Sequence, residues 1–120
     1  MEPEEGAPAP DVSRYADMFA AMGAEARLRI MRLLLAAHPD GLVVGDIQAE
    51  LAIAASTLSH HLEKLRIEDL VTVSREGTFL RYRANTVVLR DLVGFLYTEC
   101  CSLGGVRPPE PIIRLTRKTR

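Results

Sequence analysis

Several features are scarce or missing in this 120-residue chain. It has no tryptophan, three phenylalanines, three tyrosines, two cysteines and three histidines. No apolar run approaches the roughly 18–20 residues of a membrane span, and the N-terminus lacks the basic start and apolar centre of a secretory signal. We therefore expect a cytoplasmic protein with no membrane partner, whose cysteines are normally reduced.

A strong net charge is missing as well. The formal net charge is −1, although the first eleven residues carry four carboxylates and no cation, and residues 107–120 carry five cations against one carboxylate. Contact with a nucleic acid would therefore depend on a local patch. There is no glycine-rich phosphate loop, and all three histidines fall within 38–61, far along the chain from the cysteines. We do not expect an enzyme.

The composition predicts one folded domain between two irregular segments. Residues 1–10 contain three prolines and three glutamates with almost nothing to bury, which predicts a disordered lead. Residues 102–120 combine glycine, proline and basic residues and predict a flexible basic tail. Residues 11–101 hold the periodic apolar segments, and the whole chain is 48% hydrophobic and 26% charged, as in globular proteins.

Residues 56–65 have the pattern of a helix with two chemically different faces. Leu58, Leu62 and Leu65 recur at helical spacing on one stripe. The opposite side offers short hydroxyls, an imidazole and a cation, from Ser56, Thr57, Ser59, His60 and Lys64. Such a helix can bury its apolar side and present the other to base edges in a major groove. An ordinary amphipathic surface helix has the same pattern.

The next segment, residues 70–84, alternates around Gly77 and predicts a β-hairpin. We expect packing from Val71, Val73, Phe79 and Tyr82. Positive charge comes from Arg75, Arg81 and Arg83, suited to phosphate or the minor groove; a solvated charged hairpin is the alternative. A short helix over 45–51 and a turn at 52–54 precede 56–65. The prediction is a mainly α, winged helix-turn-helix fold with a small hairpin wing.

The first and last helices are predicted to form a homodimer. The first begins at Asp11 or Ser13 and ends at Gly23; the last begins with Thr86 as its cap. Both are too apolar for exposed helices, with predicted interface residues Tyr15, Met18, Phe19, Leu89, Leu92, Val93 and Leu96. A twofold dimer presents two recognition helices to a palindromic site.

The helix over 25–37 is apolar nearly all round, which predicts the most buried helix, with Arg27, Arg29 and Arg32 emerging from its exposed side.

Cys100 and Cys101 are neighbours at the end of the last helix. Adjacent cysteines are poorly placed for an ordinary disulfide and are too few for a tetrahedral zinc site. A vicinal dithiol does suit a thiophilic centre such as trivalent arsenic or antimony. Incidental cysteines at a helix end are the alternative.

The runs EARLRIMRLLL, STLSHHLEKLRIEDLV and SREGTFLRYRA resemble the ArsR/SmtB family of bacterial winged-helix metalloregulators, and the resemblance covers roughly residues 12–101. It implies a homodimeric repressor that binds double-stranded operator DNA and releases it when an inducer binds. It implies base contacts from Ser56, Thr57, Ser59 and His60, with phosphate contacts from the wing, here Arg75 and Arg81. We add Lys64 and Gly77 to this predicted DNA-contacting set.

The departures from the family pattern concern the inducer. Some arsenic-responsive members have a Cys-Val-Cys-Asp motif where this chain has VVGD at residues 43–46, so that arsenic site is absent. The zinc-binding members have a histidine in the motif that corresponds to Asp91-Leu92-Val93, and this chain lacks it, so we expect no zinc. The ending Glu99-Cys100-Cys101 matches a subgroup with arsenic at the last helix, without that subgroup's third cysteine. Ala54 replaces a usual serine at a helix cap, which costs about 1 kcal/mol.

These observations predict a repressor released when a trivalent arsenical, or antimonite, binds Cys100 and Cys101. Two sulfurs suffice for an arsenic atom that already carries a carbon substituent, whereas arsenite needs a third ligand; we therefore expect organic arsenicals to be accepted. The alternative is a repressor of the same fold that senses oxidants or reactive sulfur through the same pair. A DNA-binding module with inert cysteines is a further possibility.

Overall fold

The structure is a computed structural model that describes residues 11–101, with the side chains of all of these except Cys100 and Cys101. The predicted lead 1–10 and the predicted tail 102–120 lie outside the described residues. Within 11–101 the elements run in the order α1 (Val12–Met22), α2 (Glu25–Ala36), β1 (Leu42–Val43), α3 (Val44–Leu51), α4 (Ala55–Ile67), β2 (Val71–Glu76), β3 (Phe79–Ala84) and α5 (Thr86–Cys101). The predicted winged helix-turn-helix is confirmed.

Helix α1 begins and ends where the sequence predicts. The Asp11 side chain accepts a hydrogen bond from the backbone N–H of Arg14 at 3.1 Å, which satisfies one of the free amides of the first turn. At the other end, the N–H of Gly23 donates to the carbonyl of Ala20. Of the two predicted caps, Asp11 is therefore the one used.

Helix α2 lies at the centre of the fold but is buried on one face only. Ile30, Met31 and Leu34 are at most 1% exposed, whereas Leu28 is 50% and Leu35 44% exposed. Contacts with α1, α3, α4 and β3 agree with the predicted central position of α2, although it has three buried residues, the same number as α4. Apolar composition alone does not show how many sides of a helix have partners.

The wing belongs to a three-stranded antiparallel sheet in the order β1-β3-β2, because the short strand that the sequence allows at residues 42–44 pairs with the hairpin predicted for residues 70–84. Val44 begins α3 instead of extending the short strand before it. Gly41 allows β1 to approach β3: its φ is 72°, and a Cβ there would lie 2.2 Å from the carbonyl oxygen of Tyr82. A side chain at this position would separate the two strands.

A tight turn joins α3 to α4. Ala52 ends α3 in the left-handed region at φ 53°, and α4 starts three residues later. The apolar stripe of α4 then enters a single core, whose buried members are Met18, Ala21, Ile30, Met31, Leu34, Ile47, Leu58, Leu62, Leu65, Leu70, Val71, Tyr82, Ala84 and Leu92. The core thus fixes which face of α4 points outward.

Helix α5 starts at Thr86, but the predicted capping role of Thr86 was wrong by one residue. The Asn85 side chain accepts from the N–H of Val88 at 3.3 Å and donates to the carbonyl oxygen of Asp69 at 2.9 Å. Asn85 therefore caps α5 and ties its start to the loop after α4, which a threonine hydroxyl is too short to do. In the described part of the chain, no helix has the length and apolar character needed to cross a bilayer.

Two adjacent leucines of α2 provide a matched test of this packing. Leu34→Ala should lower the free energy of unfolding by about 2–5 kcal/mol, because Leu34 is fully buried and its loss leaves a cavity. Leu35→Ala, with the same chemistry at a half-exposed position, should cost less than about 1 kcal/mol. Urea unfolding of both variants measures the difference; equal losses would contradict the assigned face of α2.

Candidate nucleic-acid interface

Helix α4 presents a continuous polar surface to solvent. Leu58, Leu62 and Leu65 are at most 1% exposed, while the predicted base-reading residues Ser56, Thr57, Ser59 and His60, together with Lys64, are all exposed. Within residues 11–101, the three hydroxyls of this group make no hydrogen bond. The structure thus brings the predicted residues together on one helix face, with their hydrogen-bonding groups available to a ligand.

The first turn of α4 has no side-chain cap. Ala54 occupies the N-cap position, as the sequence predicts, with extended φ/ψ of −60° and 146° and no side-chain hydrogen bond to the following amides. The first backbone N–H groups of a helix have no partner within the helix. Here those amides lie beside Ser56 and Thr57, and together they form a donor-rich end of the helix.

Of the three arginines of the wing, two make hydrogen bonds to described residues and one does not. Arg75, on β2, is exposed and makes no hydrogen bond or ion pair to any described residue. Arg81 donates through Nε to Glu76 at 2.9 Å and through Nη1 to the Gly41 carbonyl at 3.3 Å. Arg83 donates to the Ser74 hydroxyl at 2.9 Å. Among the described residues, Arg75 is thus the wing arginine without a hydrogen-bond or ion-pair partner.

The predicted packing of the wing was right for Val71 and Tyr82 and wrong for Val73 and Phe79. Val73 is 37% and Phe79 62% exposed. Val73 pairs directly with Tyr82 but lies on the edge strand β2, and Phe79 pairs with Glu76 next to the turn. Gly77 adopts φ 64° in that turn, a conformation that favours glycine, so its observed role is to shape the wing.

His61 and Arg27 form a polar contact that the sequence did not reveal. Nη1 of Arg27 lies 3.3 Å from Nδ1 of His61, and Nε of Arg27 donates to the Ala21 carbonyl. The expectation that Arg27 emerges freely from α2 was therefore wrong, whereas the exposed Arg29 pairs with Glu25 on the same helix. The pKa of His61 is lowered by burial, then by the charges of Arg27, His60 and Lys64.

The seven predicted dimer residues divide into two groups. Met18 and Leu92 are 1% and 2% exposed because they belong to the core of the protomer, so their assignment to the interface was wrong. Phe19, Val93 and Leu96 are 39%, 59% and 50% exposed and remain available for a partner. Tyr15 stacks on Phe95 with 4.3 Å between ring centroids, which places α1 beside α5; Leu89 is half-buried nearby.

Helix α5 continues through Cys100 and Cys101, whose side chains lie outside the described part. Among the side chains that are described, no three His, Cys, Asp or Glu residues lie close enough together to hold a metal ion. Two neighbouring sulfurs fit a centre that needs two thiolates and fall short of the four ligands of structural zinc.

The comparisons with known proteins agree with this geometry. A family described as "Helix-turn-helix domain" matches residues 22–74. The chain is 30% identical over 80 residues to the transcriptional repressor SdpR of Bacillus subtilis strain 168, covering 67% of this chain and 86% of SdpR. It is 31% identical over 81 residues to the transcriptional activator HlyU of Vibrio cholerae, covering 68% of this chain and 72% of HlyU.

The fold is also shared with a solved structure from Mycobacterium bovis. That protein, Mb0332, is described as a homodimeric winged helix-turn-helix DNA-binding domain and a possible ArsR-family transcriptional regulator. It is 24% identical to this chain, with a TM-score of 0.60, and the match covers 88% of this chain and 100% of Mb0332. Both curated relatives are named as transcriptional regulators, which agrees with the expectation of a non-enzyme. The outward polar face of α4, the wing and these relatives together show that the chain belongs to the ArsR/SmtB family of winged helix-turn-helix, DNA-binding transcriptional regulators.

Proposed function

We propose that this protein is a homodimeric repressor that inserts α4 into the major groove of operator DNA and leaves it when a trivalent arsenical binds Cys100 and Cys101. The observation that carries the DNA-binding part is the outward face of α4, where the hydroxyls of Ser56, Thr57 and Ser59 have no hydrogen-bond partner among the described residues. Hydroxyls and imidazoles are suited to the donor and acceptor pattern of base edges. Arg75 supplies a phosphate contact that fixes the orientation of the helix.

The exposed apolar side chains of α1 and α5 support the dimer. Phe19 on α1 and Val93 and Leu96 on α5 are each at least 39% exposed, and the Tyr15–Phe95 stack holds the two helices side by side. Large exposed apolar side chains on a small protein are typical of an interaction site. A twofold partner covers this surface and fixes the separation of the two α4 helices.

The chemistry of the donor set supports the arsenical. A trivalent arsenical with one carbon substituent, written R–As(OH)₂, reacts with two thiols to give R–As(S–Cys)₂ and two waters, so both arsenic–oxygen bonds are replaced by arsenic–sulfur bonds. Arsenite keeps one further oxygen ligand after the same two exchanges. Because α5 leads from the exposed Leu96 to Cys100 within one helical turn, binding there can alter the dimer contact and hence the spacing of the two α4 helices.

The first prediction concerns the DNA and the dimer. Selection from a random-sequence duplex library by the purified protein should enrich an inverted repeat whose half-sites are centred about one helical turn apart. Val93→Asp should give a monomer by sedimentation velocity and weaken binding to the selected duplex at least about tenfold, because one half-site is lost. Leu35→Asp is the control, since Leu35 is similarly apolar and exposed but lies on α2. A Val93→Asp protein that remains dimeric would refute the assigned interface.

The second prediction concerns the wing. Arg75→Ala should reduce the slope of log affinity against log salt concentration by about 0.9, because one phosphate contact and its released counterion are lost. Arg29→Ala, which removes an exposed arginine from α2, should leave the slope unchanged. Fluorescence anisotropy with the selected duplex at four or more salt concentrations measures both. An unchanged slope in Arg75→Ala would exclude this phosphate contact.

The third prediction concerns the inducer. Methylarsenite should release the wild-type protein from the selected duplex, and Cys100→Ser and Cys101→Ser should each abolish the response without changing affinity in its absence. Release should strengthen as the pH rises towards the cysteine pKa values, since thiolates are the ligands. Arsenite, antimonite, zinc, peroxide and polysulfide complete the panel. Release by peroxide or polysulfide alone would favour the redox alternative, and a normal arsenical response in both serine variants would refute the site.

A further inference from the structure

The side chain of Arg27 connects three helices. From α2, its Nε donates to the carbonyl of Ala21 near the end of α1, and its Nη1 lies 3.3 Å from Nδ1 of His61 in the middle of α4. Both partners are half-buried or buried. Arg27 is thus a polar link between α1, which carries part of the proposed dimer surface, and the helix proposed to read DNA.

This geometry specifies the protonation state of His61. A guanidinium group only donates hydrogen bonds, so Nδ1 of His61 must accept and the ring must be neutral, with its proton on Nε2. The lowered pKa of His61, caused first by burial and then by nearby positive charge, agrees with a neutral ring. A protonated ring has no acceptor and would place a second positive charge against Arg27.

The charged groups around His61 are mostly cationic. Arg27 faces it from α2, and His60 and Lys64 act on it from α4. The carboxylates of Asp17, on α1, and Glu68, after the end of α4, line a neighbouring cavity together with Arg27 and Lys64. Neither carboxylate is hydrogen-bonded to His61 in the described structure, so neither stabilises the imidazolium by direct contact.

We propose that the Arg27–His61 hydrogen bond positions α4 for the duplex, and that protonation of His61 breaks this bond and lowers the affinity for DNA in mildly acidic solution. The inference rests on the proposed function of α4. His61 acts here as a positioning residue, because its half-buried ring contacts Arg27 instead of the polar surface offered to DNA. The link would make operator occupancy depend on pH as well as on inducer.

A positive charge has opposite effects on the affinity for DNA at His61 and at its neighbour His60. His60 is exposed on the DNA-facing side, so a positive charge on its ring would lie near phosphate and strengthen binding. His61 has the opposite effect. For stability, a lowered folded pKa means that the contribution of His61 is fully present above the ordinary value of about 6.5 and is lost as the pH falls through the folded value.

The test uses variants that separate these effects. His61→Gln keeps an acceptor for Arg27 but does not titrate, and Arg27→Met removes the donor while preserving most of the side-chain volume. His60→Gln serves as a common background that removes the ionisable ring from the DNA-facing side. Affinity for the selected duplex is measured at pH 7.5 and pH 5.5 at constant salt concentration, with circular dichroism to show that each protein is folded.

In the His60→Gln background, affinity should fall at least about fivefold between pH 7.5 and pH 5.5, which is the lower end of typical coupling between two sites. Adding His61→Gln should retain the affinity at pH 7.5 and remove this fall. Adding Arg27→Met should weaken binding at pH 7.5 and make it insensitive to pH. The proposal is overturned if the His60→Gln/His61→Gln protein loses affinity in acid as strongly as His60→Gln does.

A measurement without DNA keeps this inference separate from the proposed function. In the NMR titration of the imidazole signals, Arg27→Met should raise the pKa of His61, because one of the charges that lowers it is removed. If no duplex is enriched by the selection, the DNA proposal fails while this titration still reports on the link. If a duplex is bound and the affinity of the His60→Gln/His61→Gln protein depends on pH in the same way as that of the His60→Gln protein, only the proposed role of the Arg27–His61 link is refuted.

Discussion

The burial of the apolar stripe of α4 is the constraint on which the rest of the structure depends. Leu58, Leu62 and Leu65 are locked into the core, so the helix cannot rotate without exposing them to water at a cost of several kcal/mol. This fixes the outward direction of Ser56, Ser59 and His60. The polar surface needs no hydrogen bonds of its own to stay in place, which leaves its donors and acceptors available to DNA.

The same division of faces extends to α1 and α5. Met18 and Leu92 anchor these helices in the core of the protomer, while Phe19, Val93 and Leu96 remain exposed on the same two elements. A partner bound to that surface is therefore connected through Met18 and Leu92 to the core that orients α4. In the mechanism that we propose, a ligand at the end of α5 and a proton on His61 both act on the position of α4.

Local periodicity made the order of the elements and the face of α4 predictable. Three leucines at helical spacing allow only one buried stripe, and the Asp11 cap and Gly23 stop of α1 are local signals. The features that the sequence did not predict depend on residues that are distant along the chain. The sequence allows a strand at 42–43 but does not show that it pairs with residues 81–82, and Val73 and Phe79 are exposed because Val73 lies on the edge strand and Phe79 lies beside the turn of the wing.

The polar links were hidden from the sequence for a related reason. Arg27 lies among three arginines of α2 with nothing local to distinguish it, and its role depends on where α1 ends and on how α4 crosses α2. Asn85 was missed beside Thr86 because its second contact, with Asp69, requires the tertiary arrangement of two loops. The only local signal for that cap was the residue type, since asparagine is a preferred N-cap residue.

The most direct test of α4 as the DNA-reading helix is backbone amide NMR of the protein with and without the selected duplex. The largest chemical-shift changes are expected at residues 56–60 on α4 and at residues 75–78 of the wing, with small changes in the buried stripe of α4. Changes confined to other surfaces, such as the groove between α2 and α3, with α4 unperturbed, would contradict the assignment.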